Sequence, residues 1–191
     1  LGINRIEQIA VIHVWFTANN ALGSGGGLTV ERATRALKIE NTTFVNNTAI
    51  RHGGGGSWLR NTVCFIKDTL FEGNLANNGV GGGVEGYDMR ILVILNTKFL
   101  NNRANTAGAM ELIEIELLIV SISQFLTNNG TRSSSCLYFS YIQNVTLRKL
   151  EISKNQATLQ ATDIDGAIYL QFCRRLVVSD CIFFKNKNKG G

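Results

Sequence analysis

Apolar residues recur along the chain in pairs spaced two apart. Five residues after each pair comes a large apolar anchor, and three residues after the anchor comes an asparagine. The anchors are Phe16, Phe44, Phe71, Phe99, Phe125, Ile152 and Phe183, separated by 28, 27, 28, 26, 27 and 31 residues. The asparagines are Asn19, Asn47, Asn74, Asn102, Asn128, Asn155 and Asn186. The pairs are Ile9/Val11, Leu37/Ile39, Cys64/Ile66, Leu92/Ile94, Leu118/Val120, Val145/Leu147 and Leu176/Val178. A spacing of two puts both members of a pair on one face of a strand, and their unbroken apolar character marks that face as interior.

A repeat near 27 residues with short strands and no helical periodicity predicts a solenoid in which each repeat is one coil. The expected fold is an all-β, single-stranded, right-handed parallel β-helix of about seven coils, a single domain over residues 1–191. Equivalent residues then stack at strand spacing, about 4.8 Å. The anchors, Phe183 included, become one structural stack and the asparagines one ladder that passes amide hydrogen bonds between coils. We place the left-handed backbone of a corner at these same asparagines. Helical and leucine-rich solenoids do not produce this Phe-x-x-Asn corner. Closed barrels and sandwiches do not hold one column constant through seven copies.

The glycines fall nine to twelve residues after the anchor, as Gly25–Gly27, Gly53–Gly56 and Gly81–Gly83, then Gly108. A phosphate-binding loop would open a helix and would not recur in every coil, and Gly56 leads into Ser57-Trp58-Leu59, a strand-like run. These glycines therefore read as corners. Composition agrees: the chain has 20 glycines, 20 asparagines and no proline. The net charge of +5 is in part the terminal KNKNKGG, a solvated basic end without a nucleic-acid signature. The apolar run Ile113–Ile122 contains Glu114 and Glu116 and is too short to span a bilayer. No transmembrane segment or signal peptide is found.

Phe-x-x-Asn in six copies, with the looser Gly26-Gly27-Leu28, Gly82-Gly83-Val84, Gly108-Ala109-Met110 and Gly166-Ala167-Ile168, resembles the repeats of polymorphic outer-membrane proteins, whose signature pairs Phe-x-x-Asn with Gly-Gly-Ala-Ile. The resemblance covers nearly the whole chain and implies a right-handed β-helix on a cell surface, in a pectin-lyase-like class associated with adhesion and secreted passenger domains. Similar repeats occur in large surface proteins of unicellular eukaryotes. The expected location is extracellular or at the cell surface.

Chemistry is sparser. A lyase needs clustered carboxylates and a base, and a glycosidase needs two acids across a groove. The candidates are Asp163 and Asp165 in an inserted corner and Glu111, Glu114 and Glu116 on one strand. Glu114 and Glu116 share a face opposite Ile113, Ile115 and Leu117 and read as a solvated outer face. No acid is expected to stack on another in an adjacent coil. We therefore expect no catalytic residue, no cofactor and no metal. His13 and His52 fall at unrelated repeat positions, three before and eight after their anchors, and cannot form a stacked ligand pair. Cys64 and Cys173 take inward columns, Cys136 and Cys181 occupy others, and free thiols are expected because no two share a column in neighbouring coils. Sequons stand at Asn41, Asn46, Asn129 and Asn144. Asn46 and Asn129 flank ladder residues and are expected to turn outward.

The expected function is a structural or adhesive surface protein, a segment of a longer chain or fibre that meets its neighbours through open coil ends, by self-association or chain continuation. Glycans are a possible partner class. The alternatives are a carbohydrate-active β-helix enzyme and a passive carbohydrate-binding module.

Overall fold

The computed structural model describes residues 1–33, 35–131, 136–157 and 166–188. Asp163 and Asp165 lie outside the described residues, as does part of the basic terminus. The chain winds as an all-β parallel β-solenoid of about six turns with a period near 27 residues, which joins seven stacked copies of the repeat. Two narrow sheets carry one strand from each copy. One runs from Trp15–Thr17 through Thr43–Val45, Leu70–Glu72, Lys98–Leu100, Gln124–Leu126 and Glu151–Ser153 to Ile182–Phe184. The other follows each ladder asparagine, from Asn20–Ala21 to Lys187–Asn188. The third sheet is wider. Its rungs are paired short strands in the outer copies and continuous strands Val84–Leu95, Met110–Ser121 and Leu137–Arg148 in the middle ones.

Each coil closes by turning at left-handed residues, and these stack. In the coil that begins near Arg60 they are Arg60 (φ 54°), Asp68 (φ 49°), Gly73 (φ 62°) and Gly81 (φ 61°). A left-handed residue bends the chain without breaking the coil-to-coil hydrogen bonds. The backbone N–H of Arg60 still donates to the Tyr87 carbonyl at 2.9 Å, and that of Asp68 to the Leu95 carbonyl at 3.2 Å. The fourth corner is glycine at Gly25, Gly53 and Gly81 and alanine at Ala107 (φ 52°). At Gly53 (φ 57°) a Cβ would meet the carbonyl oxygen of Gly56 in the same turn.

The interior is built by columns. Phe16, Phe44, Phe71, Phe99 and Phe125 stack with ring centroids 4.7–4.8 Å apart and planes within 9°. The column continues in register to Ile152 and then Phe183, whose ring is half exposed. The paired aliphatic positions are buried from Ile9/Val11 to Val145/Leu147, while Leu176 and Val178 in the last coil are exposed. Trp58 is fully buried, edge-to-face on Phe71, and Gly86 stands in register beneath it. Thr42, Thr69, Thr97 and Ser123 form a buried hydroxyl column at the second corner. Each donates to the carbonyl two residues back, at 2.8–2.9 Å, so these hydroxyls are satisfied within their own turn. Among the described residues no helix is long and apolar enough to cross a membrane.

Candidate functional site

The asparagine column is a continuous hydrogen-bonded ladder. Asn74 shows the unit: its backbone N–H and its Nδ2 both donate to Asn102 Oδ1 at 3.0 Å, and Nδ2 also donates to the Phe44 carbonyl at 2.9 Å. Asn74 Oδ1 in turn accepts from Asn47 N and Nδ2, each at 3.0 Å. The pattern repeats from Asn19 to Asn186, and Asn47, Asn74, Asn102, Asn128 and Asn155 are fully buried. These residues carry no outward chemistry, because every amide atom is used. The left-handed residue is not the asparagine but the one before it: Ala18, Asn46, Gly73, Asn101, Thr127, Lys154 and Lys185 all have φ between 52° and 62°. The expectation is corrected by one position. The ladder asparagine must stay on the strand side for its own N–H to reach the next amide.

That shift changes the sequons. Asn46 precedes its ladder residue, occupies the left-handed corner and is exposed, as expected. Asn129 follows its ladder residue, lies in the strand Asn129–Gly130 and is only half exposed, with Oδ1 buried and unpaired. Asn129 is more exposed than Asn128 and Gly130 on either side of it, as alternation requires, but it is half covered and not fully exposed. Asn41 is exposed at the second corner (φ 48°), and Asn144 is half-buried with Nδ2 3.4 Å from the Glu116 carbonyl.

Acids do stack in adjacent coils, against expectation. The wide sheet aligns Thr29, Ser57, Glu85, Glu111, Tyr138 and Tyr169 in one outward column. Ser57 Oγ donates to Glu85 Oε2 at 2.6 Å, and His52 Nδ1 lies 3.4 Å from Glu85 Oε1, without the alignment of a hydrogen bond. Glu111 is only 6% exposed and its Oε2 is buried with no hydrogen-bond partner. Burial first, and then the Glu85 carboxylate, push the Glu111 carboxyl up to about 8. A neutral acid beside an ionised one is the division of protonation that acid–base chemistry uses. Tyr138 and Tyr169 cap the column with rings 5.3 Å apart, and Tyr138 OH donates to Gln171 Oε1 at 3.0 Å.

A second outward feature follows the first corner. Asp88 and Glu114 are exposed at left-handed positions of successive coils, and Tyr141 and Phe172 continue the row with rings 4.8 Å apart. An open groove of about 530 Å³ runs past Arg60, Asp88, Arg90, Glu114, Glu116 and Tyr141. Glu114 and Glu116 are exposed as expected. The left-handed turn at Glu114 breaks the alternation, however, so Ile115 is buried while Ile113 and Leu117 are half-buried.

His13 is exposed at a left-handed corner (φ 57°), while His52 is half-buried between Ser24 and Val80 in another column. Cys64 and Cys136 are free and buried, and burial pushes both thiols upward. Cys173 and Cys181 are free and half-buried, and Cys181 Sγ lies 3.2 Å from the Ser179 carbonyl. Among the described residues no group of three or more His, Cys, Asp or Glu could hold a metal ion.

No protein-family model matches the chain, and no solved structure matches it. Over 157 residues, 81% of its length, the chain is 29% identical to the metabotropic glutamate receptor-like protein R of Dictyostelium discoideum. It spans 9% of that protein's length, so the shared stretch is a small part of a much longer polypeptide.

Proposed function

We propose that the chain is a structural or adhesive segment of an extracellular or cell-surface solenoid. The observation that carries this reading is the division between columns. The inward Phe, aliphatic and Asn columns hold one residue type from coil to coil, while the left-handed outward columns change charge and size freely. A frame that fixes its interior and varies its exposed rows suits display and assembly. The similarity to a short stretch of a much longer Dictyostelium protein supports a segment role. Labelling of intact producing cells with a membrane-impermeant amine reagent tests the reading. Modification of exposed Lys38 and Lys67 without permeabilisation supports it, and modification only after lysis contradicts it.

The Glu85–Glu111 pair favours a second reading, a carbohydrate-active enzyme, because it supplies an acid and a carboxylate side by side. The closure of Glu111 from solvent weighs against it. Release of reducing ends from a polysaccharide panel, abolished by Glu85→Gln and by Glu111→Gln, would reverse the ranking.

A further inference from the structure

The first left-handed corner carries Arg5, Arg32, Arg60, Asp88, Glu114, Tyr141 and Phe172, one residue per coil, all with φ between 52° and 61°. Backbone hydrogen bonds fix the row: Arg5 N–H donates to Glu31 O at 3.0 Å, Arg32 N–H to Leu59 O at 2.9 Å and Arg60 N–H to Tyr87 O at 2.9 Å. Strand register carries it on from Asp88 to Glu114 to Tyr141. The row is therefore cationic over its first three coils, acidic over the next two and aromatic over the last two. Glu31 lies 3.3 Å from both Arg32 and Arg60 and holds those guanidinium groups in line, while the groove lies along the acidic part.

We propose that this corner is a homotypic interface, in which two copies of the chain lie side by side and antiparallel about a two-fold axis between the coils of Arg60 and Asp88. Arg60 then faces Asp88 of the second copy, Arg32 faces Glu114, and Arg5 lies against the ring of Tyr141. Each contact occurs twice by symmetry. Both copies have the same rise per coil, so alignment of one pair aligns the others. In-register parallel packing sets Arg against Arg. Parallel packing staggered by three coils satisfies only half as many pairs. The contact is polar and charged, so it is salt-sensitive and of modest affinity. The proposal deepens the assembly part of the surface-solenoid reading. It is read on purified chain in solution, so its failure is separate from failure of the cell-surface labelling.

Sedimentation velocity over a concentration series, at low and high salt, tests it with the native chain, Arg60→Glu, Asp88→Arg, the double variant and an equimolar mixture of the single variants. The corner accepts either residue, because Arg60 and Asp88 are themselves column mates with the same backbone. The expected result is a salt-sensitive native dimer, weakened about tenfold or more by either single substitution. The double variant and the mixture should regain it, since both restore every opposite-charge pair. A native chain that is monomeric throughout overturns the proposal and leaves the groove to a different ligand. Association indifferent to both substitutions overturns it too, and is the behaviour of contact through the coil ends.

Discussion

Glu85 and Glu111 stand in the same column of successive coils, one held by the Ser57 hydroxyl and the other with a buried oxygen, Oε2, that has no donor. Ionising both would place two carboxylates one coil apart with little water between them. Glu111 therefore keeps its proton through the neutral range, with its carboxyl raised to about 8.

The sign of the resulting pH dependence is fixed. A carboxyl whose folded pKa is raised binds more protons in the native than in the unfolded chain, so its contribution is fully present below the unfolded value. That contribution is lost as pH rises from there, near 4.5, through about 8. A tenfold difference in proton affinity between the folded and unfolded chain is worth about 1.4 kcal/mol, so the loss amounts to a few kcal/mol. Glu111→Gln should abolish most of this slope, making the variant more stable than the native chain at pH 9 and little different at pH 4. Urea denaturation at the two pH values checks this. A native slope that survives Glu111→Gln would assign it to other groups.

Asn74→Ala should cost about 1–3 kcal/mol or more, because in a buried site it takes the acceptor from the backbone N–H of Asn47, one of the two acceptors from Asn47 Nδ2, and the Nδ2 donor from the Phe44 carbonyl. Thr127→Ala, at an exposed corner residue one position before the ladder, should cost far less. Comparison of the two denaturation midpoints checks the contrast, and equal losses would deny the ladder its role.

What could be read from the sequence was what repeats at a constant distance from the Phe anchor. The Phe stack, the aliphatic pairs and the Asn ladder all do, and they lie where expected except in the last coil, where Leu176, Val178 and Phe183 are exposed. The Glu85–Glu111 pair does not. Counted from Phe71 and Phe99, Glu85 aligns with Ile113, because the Phe71 coil spends two more residues before its glycine corner. Alignment on that corner, Val80 against Thr106, restores the register and brings the two acids together. The left-handed first-corner row was hidden for a different reason. Its seven residues share a backbone conformation and no side-chain chemistry, so no sequence column marks them. Asn129 does alternate between buried Asn128 and Gly130, but its Oδ1 is covered by neighbours that no sequence column marks.

Expressed through a glycosylating secretory pathway, the chain should carry sugar at Asn46 and Asn41, both exposed at left-handed corners, before Asn129 or Asn144. Site occupancy by peptide mass spectrometry checks this, and preferential occupancy of Asn129 would contradict the placement of its buried Oδ1.

Gly54→Ala should unfold the chain or lower its stability strongly. A Cβ there would meet the Gly82 carbonyl oxygen of the next coil and the backbone of Leu75, neither of which can move without opening the rung. Gly2→Ala, where a Cβ meets open space, is the control expected to change nothing. Thermal unfolding followed by circular dichroism distinguishes them.

If one repeat is one interchangeable coil, a whole coil can be excised and the rest will close over the gap. Deleting residues 73–100 joins Glu72 to Asn101, whose column mates are Leu100 and Gly73, and lets Asn47 donate to Asn102 in place of Asn74. The expected product is a shortened chain that keeps its β circular dichroism and unfolds cooperatively at modestly lower urea. Deleting residues 73–86, half that segment, should abolish folding. Equal damage from the two deletions would contradict the interchangeability of the coils.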